Sequence, residues 1–217
     1  MRLVVVASVY HRRMDGATPD VTAFILAGGK STRMGADKAF VVLDGLTLLA
    51  RALELTRSVT SDVRIVGDAA KFAEFAPVAE DVFRGCGPLG GIHGALRASG
   101  VELNLMLAVD LPFVPAGLLE FLIARARGSA AIVTVPQTGG RWQPLCGVYR
   151  REFADAAEKA LRLGRYKIGA LFDVVPTLAI SEGELEDAGF SGGMFRNLNT
   201  REELETARGA EIGRAHV

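Results

Sequence analysis

Cysteine is scarce. Cys86 and Cys146 are the two in 217 residues, too few for the disulfide framework of a small secreted domain. With no secretion signal they read as reduced thiols in a cytoplasmic protein. Charge of one sign is lacking too: 25 Lys and Arg balance 25 Asp and Glu, so no global basic field favours nucleic acid. No apolar run approaches the roughly 20 residues of a membrane helix. The N-terminal Leu3–Tyr10 stretch is short, runs into His11-Arg12-Arg13 and has no cleavage-site pattern, so it does not read as a signal peptide. Histidine occurs three times, at His11, His93 and His216, with no Cys/His ligand spacing, which argues against zinc. Ser31 has no partner pattern for a hydrolase triad.

What is present fits one α/β domain. The chain is 49% hydrophobic and 23% charged, ordinary values for a globular protein, and long enough for a sizeable core. Strand and helix patterns alternate from Val21 onward with no linker-like break and no repeat. Residues 1–20 read as an N-terminal extension in which Met14 offers a second start, residues 21–208 as the domain, and residues 209–217 as a partly artefactual tail. The last six residues, IGRAHV, match what a common sequencing adapter encodes in one frame.

Strands are expected over Val21–Ala27, Val63–Gly67, Pro77–Asp81, Leu103–Asp110, Ala130–Pro136, Pro144–Tyr149 and Thr177–Ile180. Leu46, Leu49, Ala50, Leu53 and Val59 trace one face of a helix over Leu46–Val59. Further helices are expected from Pro88, a residue suited to a first turn, over Ala116–Arg127, and from Arg151 to a glycine stop at Gly164. Asn197-Leu198-Asn199-Thr200 precedes REELETA, where Thr200 would cap a final helix. Leu103–Asp110 is almost wholly apolar and ends on an acid, as a central strand does.

The chemistry gathers around Phe24–Lys38. A buried strand stops at Gly28-Gly29 and opens into a loop holding Lys30, Arg33 and Lys38. Glycine permits close approach, and bare N–H groups around a concavity bind anions, so the stretch reads as a nucleotide triphosphate loop. Gly29-Lys30-Ser31 looks like part of a P-loop, but that motif needs glycine where Phe24 stands. The alternative is a solvated basic turn. Asp110 is placed to hold Mg²⁺, which takes one or two carboxylates plus phosphate oxygens and water; a turn or capping aspartate is the alternative there and at Asp81. Gly28-Gly29, Gly67, Asp81 and Asp110 all fall at strand ends, where open α/β sheets bind ligands.

Gly85-Cys86-Gly87-Pro88-Leu89-Gly90 matches G-x-G-x-x-G, with Asp110 twenty residues beyond Gly90. The preceding residues carry three charges in five and make a poor strand, so the dinucleotide fingerprint does not follow. Those glycines read instead as places where backbone approaches a base or phosphate. Trp142 reads as packing, with ligand recognition as the alternative, and Asn197 and Asn199 alternate along an extended segment so that they face different ways.

Read together in order, LAGGKSTRMGADK, AED at Asp81, GPLGG at Gly87–Gly91, VDLPF at Asp110, QPL at Gln143 and NLNT at Asn197 resemble the molybdenum cofactor guanylyltransferases. The resemblance covers about residues 21–208. It implies a single three-layer α/β/α Rossmann-like domain of nucleotide-diphospho-sugar-transferase fold, with a mostly parallel mixed sheet. It implies that GTP and molybdenum-molybdopterin react to give the guanine dinucleotide cofactor and pyrophosphate, with Mg²⁺ as cofactor. The family's nucleotide-binding positions fall on Leu26, Ala27, Gly28, Gly29, Lys38, Asp81 and Asp110. Its loop cations fall on Arg33 and Lys38, its magnesium aspartate on Asp110, and its pterin-side asparagines on Asn197 and Asn199. Transient contact with molybdoenzyme maturation proteins is implied as well. A family position often held by asparagine falls near Gly67, which has no side chain. Cytidylyltransferases for the same cofactor and sugar-phosphate nucleotidyltransferases share the architecture but more often carry LAAG where this chain has LAGG. From another class, a dinucleotide-binding oxidoreductase built on Gly85–Gly90 stays open. A non-catalytic nucleotide-binding member would be expected to lose Arg33, Lys38 or Asp110, and all three are present.

Overall fold

The computed structural model describes residues 20–28 and 37–198. The expectations at Gly29, Arg33, Asn199 and the Thr200 cap lie outside the described residues.

The first strand, β1 (Val21–Leu26), lies between two parallel neighbours, β4 (Asp62–Val66) and β6 (Leu103–Ala108). All six residues of β6 are buried, which confirms it as central and explains its near-continuous apolar run. Alternation along these strands sends successive side chains to opposite faces. Phe24 and Met106 join one core with Leu89, Ile92 and Leu96 of α3 (Pro88–Ala98) and Phe153 and Leu161 of α5 (Phe153–Arg162). Ile25 and Leu107 join the other with Leu49 and Leu53 of α1 (Leu48–Arg57) and Leu118 and Leu122 of α4 (Ala116–Arg127). Two apolar faces, each covered by helices, make the expected three-layer α/β/α domain.

Among the described residues the main sheet runs β10-β7-β9-β6-β1-β4-β5. Here β5 is Val78–Ala79, β7 is Val133–Thr138, β9 is Cys146–Arg150 and β10 is Thr177–Ile180. β9 runs antiparallel to both β6 and β7, and the other pairings along this path are parallel, so the sheet is mixed and mostly parallel. The chain works outward from β1 through β4 to β5, then crosses back to lay β6 on the other side of β1. That reversal is the topological switch point where such sheets bind ligands.

Two expectations need correction. The helix read from Leu46 begins at Leu48, because Val42–Leu43 (β2) and Leu46–Thr47 (β3) form a hairpin. Asp44 and Gly45 make its turn with φ of 48° and 82°, the conformation in which Asp-Gly joins two twisted strands. Thr47 Oγ1 then accepts from Ala50 N at 3.1 Å and caps α1. The strand read as ending at Pro136 continues to Thr138 and turns at Gly139-Gly140 into β8 (Arg141–Trp142). A short helix, α6 (Glu182–Asp187), stands where none was read, held by a capping box between Ser181 and Glu184. A four-residue helix, α2 (Ala69–Phe72), follows β4.

Candidate active site

The carboxyl ends of β1, β4, β5 and β6 are laced together. Val109 N donates to Leu26 O at 3.2 Å, Gly67 N to Ala79 O at 3.3 Å, and Ala27 N and Gly28 N both donate to Val66 O at 3.0 and 3.1 Å. Gly28 N, which the sequence suggested would be bare, is therefore spent on the neighbouring strand, as is Ala27 N. A cleft of about 860 Å³ opens above these ends. Leu26, Ala27, Gly28, Lys38, Asp81 and Asp110 all line it. The cleft thus brings together every described residue expected at the nucleotide.

Asp110 follows β6, with its side chain 17% exposed and its Oδ2 accepting from Lys38 Nζ at 3.0 Å. Lys38 opens a 3-10 turn, Lys38–Phe40, whose N-cap is Asp37: its Oδ1 accepts from Ala39 N at 3.2 Å. Among the described residues no three His, Cys, Asp or Glu side chains gather as a metal cage. A carboxylate such as Asp110 lining the cleft suits Mg²⁺, which brings waters and takes phosphate oxygens for its remaining positions.

Asp81 accepts from Phe83 N at 2.8 Å, and burial raises its carboxyl above the ordinary range against that hydrogen bond. Its wall is built by glycine. A Cβ on Gly90 would come within 2.8 Å of both Asp81 carboxylate oxygens, and one on Gly94 would come within 2.6 Å of Glu80 O. Gly94 therefore brings α3 against the Glu80–Asp81 backbone, and Gly90 brings it against the Asp81 carboxylate and the Phe83 carbonyl. Gly85 and Gly87, at φ of 80° and 69°, line the cleft instead. β5 ends at Ala79 and α3 starts at Pro88 with a loop between them, so no strand runs straight into G-x-G-x-x-G as a dinucleotide fingerprint needs.

Gly94→Ala tests this packing. Alanine usually stabilises a helix by about 1 kcal/mol over glycine. Overpacking against a backbone carbonyl costs about 1–3 kcal/mol. The melting temperature of Gly94→Ala is expected to fall by a few degrees, while Gly183→Ala, with nothing within 4 Å of the added Cβ, raises it. A Gly94→Ala protein as stable as the parent would show that α3 does not need this close approach.

Gly67 is explained in the same way: an added Cβ would meet the Phe72 ring at 2.7 Å, so a side chain there requires that ring to move. Asn197 is exposed, but Leu198 N donates to Asp110 O at 3.1 Å and holds this segment against the end of β6. Trp142 packs edge-on against Phe172 at 5.2 Å, as the packing reading expected. His93 is buried beneath Phe83, with Nε2 3.5 Å from Glu158. Both cysteines are free thiols, and burial pushes Cys146 up to about 12. No helix of the described residues is long and apolar enough to cross a membrane.

Asp68, the N-cap of α2, and Lys71 within that helix also line the cleft, and sequence reading singled out neither. Asp37 was visible only as the neighbour of Lys38. Its Oδ2 accepts from Lys71 Nζ at 2.9 Å, and no periodicity links the two residues.

The chain as a whole is similar to known proteins. The pattern of the MobA-like NTP transferase domain matches residues 23–177. The molybdenum cofactor guanylyltransferase of Desulfosudis oleivorans is 36% identical over 193 residues, covering 88% of this chain and 95% of that protein. A probable molybdenum cofactor guanylyltransferase of Carboxydothermus hydrogenoformans is 33% identical over 187 residues, covering 86% of this chain and 94% of that protein. Among solved structures, molybdopterin-guanine dinucleotide biosynthesis protein A from Archaeoglobus fulgidus superposes with a TM-score of 0.76 at 26% identity, covering 88% of this chain and 99% of that one.

Proposed function

From the premise that the chain belongs to the MobA-like NTP transferase family, we propose that it transfers GMP from GTP to the phosphate of molybdenum-molybdopterin, releasing pyrophosphate. The observation that carries this reading is the Lys38–Asp110 pair, a cation and a carboxylate 3.0 Å apart at the switch point between β1 and β6. A triphosphate needs a cation from the protein, and a metal-assisted transfer needs a carboxylate beside it.

The acceptor phosphate oxygen forms a bond to the α-phosphorus of GTP, and the bridge between the α- and β-phosphates breaks with its electrons leaving on pyrophosphate. The attacking oxygen is already anionic, so no strong general base is required. Repulsion between anions is the obstacle, and positioning with charge neutralisation meets it. Mg²⁺ held by Asp110 would supply further charge neutralisation on the triphosphate. Lys38 turns from Asp110 toward the β- and γ-phosphates, and Arg33 adds a second cation. Leu26, Ala27 and Gly28 form the floor under the nucleotide in the cleft that Asp81 also lines, and Gly29 serves the nucleotide as well. Because Ala27 N and Gly28 N are engaged with Val66, that floor contributes its carbonyl and Cα surface. Asn197 and Asn199 take the pterin side. The recipients of the product would be the proteins that mature molybdoenzymes.

Pyrophosphate release with Mg²⁺ and molybdenum cofactor, run against GTP, CTP and ATP in parallel, tests the reaction and the base together. Release with GTP alone is expected. Release with CTP would keep the chemistry and overturn the base assignment. No release with any of them would overturn the reaction.

A further inference from the structure

Lys38 is presented by a turn that is itself held in place. Asp37 uses one carboxylate oxygen to cap that turn and the other, Oδ2, to accept from Lys71 Nζ at 2.9 Å. The turn is closed by Phe40 N on Asp37 O at 3.0 Å and Val41 N on Lys38 O at 3.1 Å. Lys71 sits on α2, and the next residue, Phe72, stacks on Phe40 at 5.9 Å between ring centroids. The hydrogen bond and charge of Asp37 raise the Lys71 ammonium above its ordinary range, as expected of a cation held by its partner. Gly28 N, on Val66 O, ties the end of β1 to β4, and Asp37, on Lys71, ties the turn after residues 29–36 to α2. Both attachments are thus to the same β4–α2 unit. Asp37, Lys38, Lys71 and Asp110 all line the one cleft.

We propose that Lys71 is a positioning residue for the transfer: it holds Asp37, and through the capped turn it orients Lys38 toward the β- and γ-phosphates of the bound triphosphate. This rests on the reading of Lys38 given above. The bridge makes a sign prediction that simple electrostatics would not. Removing a negative charge from a cleft that binds a polyanion should tighten binding by Coulomb's law. Here Asp37→Asn loosens the turn and weakens it.

The experiment is calorimetric binding of GTP and GMP, with Mg²⁺, to the full chain and to Lys71→Met, Lys71→Arg, Asp37→Asn, Lys38→Ala and the Lys38→Ala/Lys71→Met double variant. Lys71→Met and Asp37→Asn are each expected to weaken GTP about 2- to 5-fold, the scale of one exposed ion pair, and to leave GMP unchanged. Lys71→Arg retains most of the GTP affinity. In the Lys38→Ala background Lys71→Met costs nothing further, since residues acting through one another are not additive. Tighter GTP binding by Asp37→Asn would overturn the proposal. So would an equal loss from Lys71→Met with and without Lys38, because Lys71 would then meet the phosphates itself. A parent protein with no preference for GTP over GMP would overturn both this inference and the reading beneath it. A failed mutant pattern on a GTP-preferring parent overturns the inference alone.

Discussion

Asp110→Ala is expected to lower kcat/KM for GTP about a thousandfold, the upper end of what one electrostatic interaction in a transition state supplies. The fold should survive. The backbone carbonyl of residue 110, which accepts from Leu198 N, is unchanged by the substitution. The structural cost is one ion pair at the cleft, worth about 0–1 kcal/mol. The rate is also expected to lose its dependence on magnesium concentration in the range where the parent responds. Steady-state kinetics over a magnesium titration, with thermal melts alongside, separate chemistry from folding. Near-normal magnesium-dependent turnover would remove Asp110 from the mechanism. A melting temperature lowered by more than about 5 °C would say that the carboxylate serves stability more than one such pair can account for.

The second large effect is at Lys38. Lys38→Ala is expected to weaken GTP binding about 10- to 100-fold, the scale of removing one charge-assisted hydrogen bond to a polyanion. GMP, which lacks the β- and γ-phosphates, should weaken by less than about 3-fold, a difference too small for a full ionic interaction. Equal losses for the two nucleotides would place Lys38 away from those phosphates. Lys38 also faces Asp110 in the structure, so its removal takes a cation from beside the carboxylate assigned to the metal. Magnesium binding in the absence of nucleotide should therefore tighten in Lys38→Ala, because a neighbouring ammonium competes with Mg²⁺ for the same oxygen. Isothermal titration with Mg²⁺ checks this, and weaker binding would mean that Lys38 organises the Asp110 site rather than opposing the metal.

Much of the architecture is legible in the sequence because central parallel strands are buried on both faces and so appear as apolar runs. Val21–Leu26 and Leu103–Ala108 are of this kind. Ala116–Arg127 is legible to both ends, because Pro115 and Gly128 bracket it. Leu46 misleads: it continues the helical period of Leu49, Ala50 and Leu53, yet it pairs with Leu43 in the hairpin and is exposed. The Asp44-Gly45 turn decides that stretch, since both residues take positive φ. For α6 the Ser181–Glu184 box stands in the sequence, but a six-residue helix burying only Leu185 has too little periodicity to see.

The sequence by itself determined the fold class, the seven strands along the main sheet's path, the acids at their ends and the lysine of the loop after β1. Each of these depends on local patterns: apolar runs, glycine stops and a charge where a strand meets solvent. Only the tertiary structure decided the order of those strands, with β9 reversed between β6 and β7, and hence which strand ends share a cleft. It also decided that Ala27 N and Gly28 N are used by Val66, that Gly90 and Gly94 serve packing, and that Asp37 is held by Lys71, 34 residues away. The physical reason is the same in each case. A hydrogen bond or close approach between distant segments depends on where the backbone has been carried, and no periodicity along the chain records it.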